Sequence, residues 1–235
     1  MSGVRDKARD EAQDGPRRAV LKAALRAVPF DGWSAHMLAG AVREAIAAGI
    51  EPAQAQQAFP GGPRQLLTFF MAEADREMTA AAAARGLADG PVRARIGGII
   101  RLRLEALAPH REAIRRAIAL QLLPGHGAGA LRNLYRTVDA IWRAAGDTST
   151  DFNYYSKRAL LAAVYSTTLL RWLDDQSDEC AETWAFMDRR IADTLRIGKL
   201  RRRAEKLLAR LPSPLPTLTR LRHGRAPGQA PRQAT

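Results

Sequence analysis

The sequence predicts an all-α fold, a bundle of helices, on three grounds. No segment alternates apolar and polar residues with period two, several repeat apolar residues near every 3.6 positions, and glycine and proline punctuate the chain between them. A length of 235 residues with 46% hydrophobic and 26% charged residues suits one globular domain with an appended tail and excludes a disordered chain. The single cysteine, Cys180, forms no internal disulfide, and a domain of this size buries enough apolar surface to need none. Arginine or lysine interrupts every apolar run before it reaches the ~20 residues of a membrane span.

Residues 1–15 mix Arg5, Lys7 and Arg9 with Asp6, Asp10, Glu11 and Asp14 and lack an apolar stretch, so they read as a solvated arm, not as a secretory signal or transit peptide. In Pro29-Phe30-Asp31-Gly32-Trp33-Ser34, Ser34 is placed to cap a helix with Met37, Leu38, Ala41, Val42, Ala45 and Ile46 on one face. Trp33 and Leu38 have the spacing of a hydrophobic staple around that cap. Gly49 ends the helix, Pro52 opens a short one, and Phe59-Pro60-Gly61-Gly62-Pro63 breaks the chain again.

A long helix from about Arg64 to Arg85 carries Leu66, Leu67, Phe70, Ala74 and Met78 and stops at the Gly86 to Pro91 turn. The next holds Val92, Ile96, Ile99, Ile100 and Leu107, with Gly97 and Gly98 inside it at a cost of about 1 kcal/mol each against alanine, which a close helix contact or a bend would explain. Pro109 and Pro124 bracket a further helix, and Leu131, Leu134, Val138, Ile141, Trp142 and Ala145 stripe another that ends at Gly146. The helix after Ser156 is apolar around most of its circumference, through Leu160, Leu161, Val164, Leu169 and Leu170, and is expected at the centre of the bundle. Cys180 to Leu195 forms the last body helix, with Trp184, Met187 and Ile191 inward.

The net charge of +13 is unevenly placed, since from Arg196 onward eleven basic residues face Glu205 alone. Across 196–211, Ile197, Leu200, Ala204, Leu207, Leu208 and Leu211 form an apolar stripe while Arg201, Arg202 and Arg203 occupy the rest, the pattern of a basic amphipathic helix at a membrane surface. Packing on the body or on a second copy, and a nucleic-acid patch, are the other readings of this segment. The gain from burying its aliphatics and from anionic lipid is comparable with the cost of ordering it, which predicts reversible, peripheral attachment. Pro212, Pro214 and Pro216 forbid more helix, and residues 212–235 are expected to be disordered.

Catalysis finds no support. His36, His110, His126 and His223 lie in separate segments without metal-ligand spacing, Cys180 lacks a nucleophile motif, and there is no phosphate loop or GxSxG elbow. Asp174 and Asp175 at a helix end read as solvated, not as an acid–base pair, and no titratable residues are expected to converge on a cavity. DNA binding is the competing function, because a helix-turn-helix near the start of a helical chain is how TetR-type regulators are built. The recognition segment, Pro52-Ala53-Gln54-Ala55-Gln56-Gln57-Ala58-Phe59 after Glu51, nevertheless has no lysine or arginine to meet phosphate. Its glutamines could read adenine only if something else held the protein in place.

The stretch Thr150-Asp151-Phe152-Asn153-Tyr154-Tyr155-Ser156-Lys157-Arg158 gathers aromatics and cations at a loop-to-helix junction, which suits either core packing with a helix cap or a protein-binding hot spot. The longer run from Trp142 to Ala162, which contains it, closely resembles the signature of the coenzyme Q biosynthesis protein nine family. Thr167-Thr168, Thr183-Trp184-Ala185-Phe186 and Phe59-Pro60-Gly61-Gly62-Pro63 match the same pattern, and the likeness covers about Pro16 to Gly198.

The resemblance implies a TetR-like bundle whose helix-turn-helix has lost DNA binding. It implies a non-enzymatic accessory protein that holds isoprenoid quinone intermediates of ubiquinone biosynthesis in a hydrophobic tunnel and presents them to a di-iron hydroxylase. By motif match, Ile141, Trp142, Tyr154, Tyr155 and Arg158 would lie in or beside the hydroxylase-docking patch, with Tyr154 where eukaryotic members carry tryptophan. A membrane-engaging helix would begin near Ile197, and a homodimer through the last two body helices follows by analogy with the fold. Leu160, Val164, Trp184 and Met187 are the expected lining of the lipid slot. On this reading the protein is bacterial and cytoplasmic, rests its tail on the anionic inner face of the cytoplasmic membrane, and takes no cofactor, metal or nucleic acid.

Overall fold

The structure is a computed structural model of the chain that describes residues 2–121, 123, 125, 127–147 and 153–208, without the side chains of 2–13, 153, 154, 195 and 197–208. The expected loop at 148–152, Leu211 and the expected disorder of 212–235 lie outside the described residues. Two compact units divide the chain, Met1–Ala192 and Asp193–Thr235.

The N-terminal part of the first unit is three helices. α1 (Ser2–Asp31) passes from the expected arm through Pro16 without a break, and Val20, Ala24 and Val28, one turn apart, turn a fully buried edge toward α2 (Ala35–Ala47). Ser34 caps α2 as its sequence predicts, its hydroxyl accepting from the Met37 amide at 3.0 Å. Gly49, at φ +96°, ends the helix in the left-handed region, and the Ile50 amide donates to the Ala45 carbonyl. Glu51, through its carboxylate, accepts from the Gln54 amide at 2.9 Å and starts the six-residue α3 (Pro52–Gln57). Trp33 fastens this part to the body, donating from Nε1 to the Ala113 carbonyl at 3.0 Å and stacking on Phe70 with ring centroids 5.9 Å apart.

The body consists of α4 (Gly62–Ala84), α5 (Val92–Leu107), α6 (Arg111–Gln121), α7 (Gly127–Ala144), α8 (Asn153–Asp174) and α9 (Ala181–Leu208). α4 packs on α5 and α7, and α8 packs on α7 and α5. The two glycines of α5 mark close contacts, as their cost suggests. A Cβ on Gly97 would sit 3.6 Å from Ile191 Cδ1 and Met187 Cε of α9, and one on Gly98 would sit 3.5 Å from Leu87 Cδ1.

Two expectations need correction. α8 is not the centre of the bundle: Leu161, Val164, Tyr165, Thr168 and Trp172 are buried on one face, whereas Tyr155, Ala159, Ala163 and Leu170 are exposed on the other. An apolar circumference marks what a helix can bury, and among the described residues α7 and α5 pack most of the face that is covered. Asp175 is not solvated either. It is buried where α9 begins and accepts from the Ser177 amide (2.8 Å) and hydroxyl (2.6 Å) and from the Thr183 amide (2.8 Å) and hydroxyl. Burial opposes its charge, but these hydrogen bonds outweigh burial and hold the carboxyl well below the usual carboxylate range.

Candidate functional site

A cavity of roughly 340 Å³ opens among α4 to α8. Its walls are mostly aliphatic, from Leu107, Ile114, Ile118, Leu134 and Leu169, and its mouth carries Leu131 and Leu170, which are 67% and 51% exposed. An apolar slot with a few convergent polar groups is the usual form of a small-molecule site.

The floor is polar. Arg103 falls on the same α5 face as Ile96, Ile99, Ile100 and Leu107, and Asp75 follows Ala74 in the buried stripe of α4, so the helical period carries one charge of each sign into the core. Arg103, 1% exposed, donates from Nε to Asp75 Oδ1 at 3.0 Å and approaches the same oxygen with a terminal nitrogen at 2.9 Å. It also donates to the Tyr165 hydroxyl at 2.8 Å and to Thr137 Oγ1 at 3.3 Å, and Thr137 donates to Asp75 at 2.9 Å. Burial lowers the Arg103 pKa, but Tyr165 and Asp75 more than offset it and leave the guanidinium above its ordinary value. Burial pushes the Tyr165 phenol up, against the opposing pull of Arg103, so it remains protonated. The expectation that no titratable residues converge on a cavity is thus overturned for Arg103 and Tyr165. The available signal was a charged residue at an apolar-stripe position of α5 and another in α4; its meaning depends on which helices meet.

The expected lipid lining falls elsewhere. Leu160, Val164, Trp184 and Met187 are absent from the walls of this cavity. Val164 and Met187 are core, Leu160 is half-buried, and Trp184 is half-buried with its Nε1 donating to the Glu179 carbonyl at 2.8 Å. The cavity instead uses the Tyr165, Ser166, Leu169 and Leu170 side of α8.

The expected docking residues separate into surface and scaffold. Ile141 is wholly buried, and Trp142 is half-buried with Nε1 donating to the Lys157 carbonyl at 3.3 Å. Arg158 is buried, with Asp139 Oδ1 2.6 Å and Asp147 Oδ2 3.8 Å from its terminal nitrogens, and so ties the start of α8 to the end of α7. Tyr155, 71% exposed, is the part of the set presented to solvent, and the Tyr154 side chain lies outside the described residues. The backbone from Asp193 to Leu208 is helical, but the side chains of Ile197, Leu200, Arg201, Arg202, Arg203, Leu207 and Leu208 are outside the description.

On the helix-turn-helix, Gln54, Gln56 and Gln57 are exposed on α3 with no cation beside them on that helix. Among the described residues no group of His, Cys, Asp and Glu could hold a metal ion, and no helix is long and apolar enough to cross a membrane.

Residues 128–198 match the COQ9 family model. The human mitochondrial ubiquinone biosynthesis protein COQ9 is 31% identical over 200 residues, which cover 80% of this chain and 60% of the human protein. The chain is a relative of the COQ9 proteins. COQ9 of Rattus norvegicus is 32% identical over 80% of this chain and 61% of its own, and COQ9 of Drosophila melanogaster 29% identical over 83% and 60%. The chain therefore spans about 60% of the length of these COQ9 relatives, whose names place them in mitochondria. Among solved structures, the TetR transcriptional regulator from Nitrosomonas europaea ATCC 19718 matches with a TM-score of 0.60 at 23% identity, over 76% of this chain and 97% of that one. The fold is TetR-like. The COQ9 match runs from the start of α7 through α8 into α9, and so takes in the mouth of the cavity, the Thr137–Tyr165 side of its floor and the junction around Tyr155.

Proposed function

We propose that this chain is a non-enzymatic, lipid-binding accessory protein of ubiquinone biosynthesis that takes isoprenoid quinone intermediates into the α4–α8 cavity and presents them to a hydroxylase. The observation that carries this reading is an aliphatic slot with exposed leucines at its mouth in a relative of the COQ9 proteins. Burying a polyprenyl chain gains about 25 cal/mol per Å² of apolar surface, so aliphatic walls suffice to hold it. At roughly 340 Å³ the slot is at the small end for ligand sites, which suits a head and the first units of a long chain whose remainder leaves past Leu131 and Leu170. Asp75 and Arg103 engage each other, which leaves the floor without a free base or nucleophile and favours binding over catalysis.

The hydroxylase docks at Tyr155 and Trp142, with Arg158 and Ile141 as the scaffold behind them. The basic helix from Ile197 rests on an anionic membrane surface, and two copies associate through the last two body helices, α8 and α9. DNA binding is not favoured, because α3 offers phosphate no cation. Organic extraction of freshly purified protein followed by mass spectrometry tests the central statement: a co-purifying isoprenoid supports it, and none from either the soluble or the membrane-bound fraction overturns it. Co-sedimentation with anionic liposomes, with and without residues 196–235, tests the tail, and equal pelleting of both forms removes its role.

A further inference from the structure

The polar floor says more about the ligand than the walls do. A buried arginine at the end of an apolar slot ordinarily invites a carboxylate or a phosphate. Here Asp75 already occupies that place. Both Nε and a terminal nitrogen of Arg103 meet Asp75 Oδ1, the Thr137 hydroxyl closes on the same carboxylate, and the other terminal nitrogen is engaged with Tyr165. Asp75 stands behind Arg103 and neutralises it, so an anion brought to the floor would be buried in a low-dielectric site without a cation of its own.

What the floor does leave unmet is neutral. The Tyr165 oxygen accepts from Arg103, so its proton must be donated elsewhere, and among the described residues it is donated to nothing. Asn133 is one turn before Thr137 on α7, lines the same cavity and is only 9% exposed, and its side-chain amide makes no hydrogen bond among the described residues. Buried polar groups are rarely left unpaired, and both of these face the space a ligand would fill.

We infer that the cavity selects a ligand with an uncharged head bearing an acceptor oxygen, a carbonyl or ether, which receives the Tyr165 hydroxyl proton within reach of the Asn133 amide, and that it discriminates against carboxylate and phosphate heads on the same tail. Asp75 is a specificity-determining residue that never touches the ligand: it neutralises Arg103 and so keeps the site closed to anions. This rests on the cavity being the lipid site.

The test uses the full chain and displacement of the neutral fluorophore N-phenyl-1-naphthylamine at pH 7.5 by 2-dodecanone, dodecanoate and dodecyl phosphate, which share a tail and differ in the head. The ketone is expected to displace the fluorophore at about tenfold lower concentration than either anion. Tyr165→Phe, which removes only the hydroxyl, is expected to erase that preference while fluorophore binding persists, and Asp75→Asn to turn the preference toward the anions. Equal or tighter binding of dodecanoate by the unaltered protein overturns the inference, as does an unchanged preference in Tyr165→Phe, which stands even if Asp75→Asn fails to fold. Failure of the fluorophore and all three probes to bind overturns the lipid-site reading itself, whereas binding without discrimination overturns only this inference.

Discussion

Arg103 Nε lies 3.0 Å from Asp75 Oδ1, and both side chains are withdrawn from water inside the bundle. With Thr137 and Tyr165 the pair joins four helices, α4, α5, α7 and α8, around one charge. Removing one member leaves its partner charged and buried without a countercharge, which costs far more than removing both. Asp75→Ala is expected to destabilise by about 3–5 kcal/mol, and Asp75→Leu combined with Arg103→Met by much less, in urea denaturation followed by circular dichroism. Additive losses in the double variant would show that the two side chains do not act as a pair.

Tyr155 and Arg158 are three residues apart and have opposite situations, one exposed and one buried against Asp139 and Asp147. Substitution should therefore separate docking from scaffolding. Tyr155→Ala is expected to leave stability within about 0.5 kcal/mol of the starting protein while weakening capture of the hydroxylase. Arg158→Ala is expected to lose about 1.5–3 kcal/mol by removing the buried charged partner of Asp139, which Arg143 still meets as Lys157 still meets Asp147, and to weaken capture only as a consequence. A Tyr155→Ala protein that captures the hydroxylase normally would remove this residue from the docking surface.

How much of this was legible in the sequence depended on whether the signal was local. Ser34, Gly49 and Pro52 act within a few residues of themselves, and the helix boundaries they announce are those observed. The uncharged α3 was equally readable, because the absence of lysine and arginine from a short segment does not depend on what it packs against. The cavity was not readable. Leu160 and Val164 belong to the most apolar helix and so attract the lipid assignment, but the cavity opens between α7 and the Tyr165–Leu170 side of α8, a matter of helix placement. Arg103 and Asp75 are 28 positions apart, and each alone looks like a surface charge at an unlucky register. Asp175 is a mixed case: Ser177 is a local partner two residues on, but Thr183 comes within reach and completes the burial only after the chain turns into α9.

Asp175 also sets a pH dependence whose sign is fixed. Burial works against its charge, the four hydrogen bonds from Ser177 and Thr183 prevail, and the folded pKa is depressed below the ordinary value of 3.8. A depressed pKa contributes stability that is fully present above the unfolded value and is lost as pH falls toward the folded one. The advantage of the unaltered protein over Asp175→Asn, measured by urea denaturation, should hold steady from pH 7 to about pH 5 and shrink below about pH 4. An advantage that grew on acidification would contradict a hydrogen-bonded carboxylate at this position.

Gly97 sits mid-helix in α5 at the contact with Met187 and Ile191, where two effects of opposite sign meet. Alanine gains about 1 kcal/mol over glycine in a helix interior by lowering the entropy lost on folding. Against this, a side chain can force apart the surfaces that glycine allows to touch. The new Cβ would lie 3.6 Å from both Ile191 Cδ1 and Met187 Cε, ordinary van der Waals contact with the flexible ends of two side chains, so the gain should prevail. Gly97→Ala is therefore expected to raise the midpoint of thermal unfolding. Gly97→Leu, with no room for three further carbons, is expected to lower it by the cost of overpacking, about 1–3 kcal/mol. If alanine destabilised as leucine does, α5 and α9 would have to lie closer together than this geometry has them.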